Sequence, residues 1–174
     1  RSRQAFAKIN HILISHLHGD HCFGLLGIIS SFGLLGRTAP LYIHAPEDMW
    51  QILKPELDFY CRDMDFSVEF QGFDPHRIQT IYDDRSVSIE TVPLLHRIPC
   101  AGFLFKEKPT SDHLNREMAD YYGVPTWDFA RIKDGGDFPL PDGTVIPHSR
   151  LTTPAAAVRS YAYCCDTEYN PAMT

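Results

Sequence analysis

A chain of 174 residues, 44% hydrophobic and 12% aromatic, is enough for one ordinary domain with a sizeable core. Its 16 basic and 22 acidic residues leave a formal charge of −6, which disfavours broad contact with a polyanion and leaves only a local basic patch for such a partner. No run of about 18 apolar residues is present, and Arg1 to Lys8 lacks the charged-then-apolar layout of a signal peptide, so no membrane partner is expected and a cytoplasmic address is.

The first predicted element is a buried strand over Ile9 to Ser15, apolar and rich in β-branched residues, ending at a histidine cluster. An apolar, Gly-containing helix follows over Cys22 to Phe32. Next come a short strand at Leu41 to His44, closed by Ala45-Pro46, and a helix over Glu47 to Tyr60 that Pro55 interrupts. From Phe66 the pattern turns to short alternating segments at Ser67 to Gln71, Gln79 to Tyr82, Ser86 to Val92 and Gly102 to Lys106. Pro, Gly and Asp clusters separate them, and an antiparallel meander is expected. Glu107 to Thr153 is polar and Pro/Gly-rich, with one helix at Asp112 to Tyr122 and a turn at Gly135-Gly136, and reads as an inserted arm. An apolar strand over Ser160 to Cys165 then delivers Asp166. Five cysteines without framework spacing argue against a disulfide scaffold, and Cys164 and Cys165 read as reduced, buried residues.

Three of the nine histidines fall within six residues, in His16-Leu17-His18-Gly19-Asp20-His21. On an extended segment side chains alternate, so His16 and His18 point to one side. Gly19 lets the backbone turn tightly, after which Asp20 and His21 face the same space from a helix entrance. Three imidazoles and a carboxylate suit zinc, and four such donors make a second metal an expectation as well. Solvated loop histidines beside a helix cap at Asp20 are the bland alternative, disfavoured because charging clustered imidazoles costs free energy unless a metal or an acid organises them. His11, His44, His76, His113 and His148 are assigned to structure or surface, and Cys22 to packing at a helix start rather than to a soft metal.

His-x-His-x-Asp-His after an apolar strand resembles the signature of the metallo-β-lactamase fold, and the longer string ISHLHGDHCFGLLGII resembles ribonuclease Z-like enzymes in particular. Two later segments match in the same order. His96 in PLLHRIPCAGFLF resembles the family's third histidine, and Asp166 in YAYCCDTEYNP resembles its bridging aspartate. From the residues alone His96 reads more often as a hydrogen-bonded structural residue, and Asp166 as a helix N-cap or an Asx-turn with Thr167.

The resemblance implies an αββα sandwich of α/β (α+β) class, of which residues 1–174 form an incomplete portion with an inserted arm at about 107–153. It implies two zinc ions, with iron or manganese as substitutes, one held by His16, His18, His96 and Asp166 and the other by Asp20, His21 and the same Asp166. A metal-bound hydroxide would then hydrolyse a phosphodiester, Asp20 accepting a proton from the attacking water. The implied partner is precursor tRNA, trimmed at its 3′ trailer, and the implied assembly is a homodimer, with the helix at Cys22 to Phe32 serving either as its contact or in the core. The arm carries Lys106, Lys108, Arg116, Arg131, Lys133 and Arg150, nearly matched by acids. It reads equally as an RNA-holding element and as a plain surface insertion. A hydrolase acting on a small phosphodiester, ester or lactone, and an inactive fragment, are the competing readings. The family's upstream strands, its downstream histidine ligand and its product-departure histidine have no counterpart in the sequence.

Overall fold

The computed structural model describes residues 8–171, which divide into two compact units. The first contains the chain up to Phe105 and again from Ser160; the second is Lys106–Arg159.

The first unit opens with β1 (His11–Leu13), α1 (Gly19–Cys22), α2 (Gly24–Leu34), β2 (Leu41–Pro46), α3 (Met49–Tyr60) and β3 (Val68–Phe73). The three strands form one parallel sheet in the order β1-β2-β3, Ile12 lying opposite Ile43 and Ile43 opposite Phe70. Parallel neighbours require crossover connections, and α1–α2 and α3 supply them. The central strand is sealed on both faces: Leu41, Ile43 and Ala45 are fully buried. Leu25, Ile29 and Phe32 sit at the four-then-three spacing that lines one helix face. With Met49 and Leu53 of α3 they form the core over this sheet.

A second sheet has the order β11-β6-β5-β4, from β4 (Thr80–Asp83), β5 (Val87–Leu94), β6 (Cys100–Glu107) and β11 (Ser160–Tyr163). Phe73 and Leu13 of the first sheet pack against Ile89, Ala101 and Phe103 of the second, the rings of Phe73 and Phe103 meeting edge to face at 5.9 Å. Helix, sheet and sheet are thus three layers of the expected αββα sandwich. Arg37 closes the far end: its guanidinium donates to the carbonyls of Ala39, Ile9 and Pro40 and to Asn10 Oδ1, at 2.6 to 2.9 Å, between the rings of Phe32 and Phe66.

Several expectations are corrected here. The first strand is shorter than Ile9 to Ser15 and half-buried. Val68–Phe73 joins the parallel sheet rather than an antiparallel meander, because β2 is central and offers it a second free edge. Pro55 does not interrupt α3. It lies on the exposed side, as does Gln51, whose carbonyl loses its N–H partner to the proline. Nor is β11 buried: all four residues are exposed, since it is the edge of its sheet, and Cys164 is exposed with Cys165 half-buried.

The second unit has a small core of its own, built from Ala119, Val124, Ile132, Ile146 and Leu151. Its elements are β7 (His113–Leu114), α4 (Arg116–Tyr121), a 3-10 turn at Thr126–Asp128, α5 (Phe129–Lys133), β8 (Phe138–Pro139), β9 (Val145–Ile146), α6 (His148–Leu151) and β10 (Thr152–Thr153). The helix expected from Asp112 starts only at Arg116, because Asn115 caps it through Met118 N–H at 3.1 Å while His113 and Leu114 pair with β10.

Candidate metal centre

The motif grows out of the junction of the two sheets. Ile14 N–H donates to His44 O at 2.8 Å, extending the pairing of β1, and Ala101 N–H donates to Ser15 O at 3.0 Å, tying the next residue to β6. His16 emerges from this junction fully buried. His18 stands in extended backbone at the N-cap of α1, which carries Asp20 and His21. Gly19 opens α1 directly after the extended His18, without left-handed backbone, and a Cβ there would meet the exposed Phe23 ring.

Two chain segments complete the cluster. His96 follows β5, and Asp166 follows β11. The loops carrying them are joined by Glu168 N–H to Leu95 O at 2.7 Å and by Leu95 N–H to the Thr167 hydroxyl at 3.2 Å. Four donor atoms, one each from His16, His18, His96 and Asp166, lie within 4.8 Å of one another. His18 Nδ1 is 3.1 Å from His16 Nε2 and 3.2 Å from His96 Nε2. Asp166 Oδ2 is 3.9 Å from His16 Nε2 and 3.4 Å from His21 Nε2. Asp20 stands apart: its carboxylate is largely exposed and lies 3.5 Å from His21 Nε2.

This donor set fits a divalent cation. Three ring nitrogens crowd together where one proton can serve only one contact at a time, whereas a cation accepts all three lone pairs and the carboxylate. Burial pushes the His16 pKa down, neighbouring His21, His18 and His96 push it further, and Asp166 opposes them, the net direction favouring the neutral ring that has a lone pair to offer.

Around the donors lie residues that sequence reasoning missed. Arg97 Nη2 is 3.2 Å from His18 Nε2, and Arg97 and Glu168 line an open cleft of about 610 Å³ together with His18, Asp20, His96 and Asp166. Cys100 Sγ lies 3.5 Å from His16 Nδ1 and donates to the carbonyl of Asp166 at 3.6 Å; burial, with the nearby Cys165 and Asp166, pushes its thiol up to about 11. Cys165 Sγ lies 3.6 Å from His21 Nδ1. The adjacency of Arg97 to His96 and of Cys165 to Asp166 was the available signal. Of the histidines assigned elsewhere, His11 and His44 form a pair at 3.1 Å inside the first unit, and Cys22 packs at the edge of its core.

Residues 1–114 match the beta-lactamase superfamily domain. The chain belongs to the beta-lactamase superfamily. Among superfamily members, it is similar to a protein named ribonuclease Z from Phocaeicola vulgatus, 55% identical over 98% of this chain and 55% of that one. Another ribonuclease Z, from Bacteroides thetaiotaomicron, is 56% identical over 98% of this chain and 54% of its own length. The chain therefore spans about 55% of the length of these relatives. Human tRNase Z, short form, shares the fold: its crystal structure superposes with a TM-score of 0.55 at 23% identity, over 64% of this chain and 52% of that one. Metal binding is what this superfamily and the His/Asp cluster together imply.

Proposed function

We propose that the chain carries the metal centre of a phosphodiesterase of the ribonuclease Z type, which removes the 3′ trailer of precursor tRNA. The observation that carries this reading is the gathering of His16, His18, His96 and Asp166 within 4.8 Å, in a chain more than half identical to ribonuclease Z proteins. One zinc ion would be held by those four residues and a second by Asp20, His21 and Asp166, iron or manganese being able to substitute. Zinc, when bound, supplies Lewis acidity toward the phosphodiester and activates water near neutral pH.

The remaining work falls to the chain itself. Asp166, facing both His16 and His21, joins the two halves of the centre. Arg97 stands at the cleft with a guanidinium able to bind a phosphate oxygen. Asp20, exposed and 3.5 Å from His21 Nε2, is available to take a proton from the attacking water. A cytoplasmic setting and a homodimer belong to the same reading. Phe23, Leu34 and Leu35, exposed at the ends of α2, are the apolar surface offered to a second copy.

The test is a zinc-loaded chain given a tRNA precursor with a labelled 3′ trailer. Release of the trailer, lost in His16→Ala and in Asp166→Ala, is the expected result. Turnover of a small chromogenic phosphodiester without trailer release would favour a small-molecule hydrolase instead. Zinc binding with no hydrolysis of either substrate would identify a metal-binding remnant.

A further inference from the structure

We propose that Cys165 is a positioning residue of the metal centre, its sulfur holding the imidazoles of both His16 and His21 with Nε2 turned toward the metal. The inference rests on the metal-centre reading above and gives a positioning role to a residue not among the ligands named there, whose Sγ lies with donor atoms of His16 and His21 within 4.8 Å.

Three polar groups converge on Cys165 Sγ: the Ser15 hydroxyl, donating at 3.2 Å, the Tyr163 hydroxyl, donating at 3.8 Å, and His21 Nδ1 at 3.6 Å. Serine has one hydroxyl proton, and here it is spent on the sulfur. His16 Nδ1 lies 2.9 Å from that same oxygen and 3.5 Å from Cys100 Sγ; with the hydroxyl proton on the sulfur, the imidazole is the donor to Ser15 and carries its proton on Nδ1. Its Nε2 is then a lone pair, and Nε2 is the atom that faces His18 and Asp166.

His21 repeats the pattern on the other side of the sulfur. Its Nε2 faces the carboxylates of Asp20 and Asp166 at 3.5 and 3.4 Å, and its Nδ1 faces Cys165. Once Nε2 is given to a metal, Nδ1 must hold the ring proton, and the sulfur is the acceptor that receives it. One atom thereby fixes the tautomer and ring orientation of two ligands, directly for His21 and through Ser15 for His16. Partners of this kind raise ligand basicity, and their loss commonly weakens metal binding about 10- to 100-fold. Placement supports the role: Cys165 follows β11 immediately before Asp166, so the strand end that delivers the carboxylate also delivers the sulfur.

Cobalt(II) titration of the full 174-residue chain, followed by visible absorption, tests this against Cys165→Ala and Cys165→Ser. Alanine removes the acceptor and should weaken cobalt binding by about tenfold or more, while serine keeps an acceptor and should remain within about threefold of wild type. In the zinc-loaded chain, nitrogen-15 spectra of the histidine rings should show a slowly exchanging Nδ1–H on His21 in the wild type and in Cys165→Ser, lost in Cys165→Ala. A merely structural cysteine would not move that signal. Cobalt bound equally by wild type and Cys165→Ala, or an unchanged His21 Nδ1–H in the alanine variant, overturns the role and leaves the centre standing. Failure of the folded wild-type chain to bind cobalt at all overturns both.

Discussion

Two buried side chains outside the metal centre carry consequences that can be measured singly. Arg37 makes four hydrogen bonds, three of them to backbone carbonyls of two segments, at Ile9 and at Ala39-Pro40, and lies against Phe32 and Phe66. Its planar fork serves several acceptors at once, which an ammonium on a flexible stem does not. Arg37→Ala should therefore cost roughly 2–3 kcal/mol in urea denaturation, with Arg37→Lys recovering less than half of the loss. His44 acts through pH. Burial first, and the neighbouring His11 second, push its pKa from 6.5 down to about 4. Between these values the unfolded chain takes up a proton that the folded chain refuses, so stability falls as pH drops through that window and levels off below about 4. Urea midpoints measured from pH 7 to pH 4.5 should decline less steeply in His44→Leu than in the wild type. An equal slope in both would mean that His44 is not held neutral by the fold.

At the scale of elements, what the sequence disclosed follows from the range of the forces involved. The strand, loop and helix around His16 to His21 were legible because apolar runs and ligand spacing are local signals. Partner choice is not local: nothing within Val68–Phe73 tells that it lies parallel to β2, and nothing in Tyr161 to Cys165 tells that this apolar run is an exposed edge. His96 and Asp166 could be proposed from resemblance, yet the sulfur beside Asp166 could not be given a role until Ser15 and His21 were seen around it. Gly102 tests how closely the strand carrying Asp166 is held. A Cβ at this position of β6 would lie 2.7 Å from Tyr163 O and 3.5 Å from Cys164 Cα, so any side chain must push β11 away. Gly102→Ala should destabilise the chain by about 1–3 kcal/mol. Because Asp166 follows directly, it should also weaken cobalt binding, unlike an equally destabilising change at Arg37, which is remote from the donors. Unchanged metal affinity in a measurably destabilised Gly102→Ala would separate the strand from the centre.

For the whole molecule, the consequential feature is that Lys106–Arg159 forms a unit with its own core, where the sequence promised only a polar, Pro/Gly-rich arm. Its two ends lie side by side: Glu107 N–H donates to Arg159 O at 2.9 Å, and the Arg159 guanidinium meets the Glu107 carboxylate at 3.0 Å. Ends so placed can be joined by a linker of about four Gly and Ser residues with little closure cost. The donor residues all belong to the other unit, so the shortened chain should bind cobalt with wild-type affinity. If the unit holds the body of a tRNA, precursor binding measured by fluorescence anisotropy should fall at least tenfold on the same excision. Arg116, Arg131 and Arg159 are already engaged by Asp120, Asp128 and Glu107, which leaves few cations to displace counterions. Lys106 and Lys108 also have partners, so the salt dependence contributed by this unit should be shallow, equivalent to about two phosphates. Equal precursor affinity with and without the unit would make it a surface insertion with no part in RNA binding.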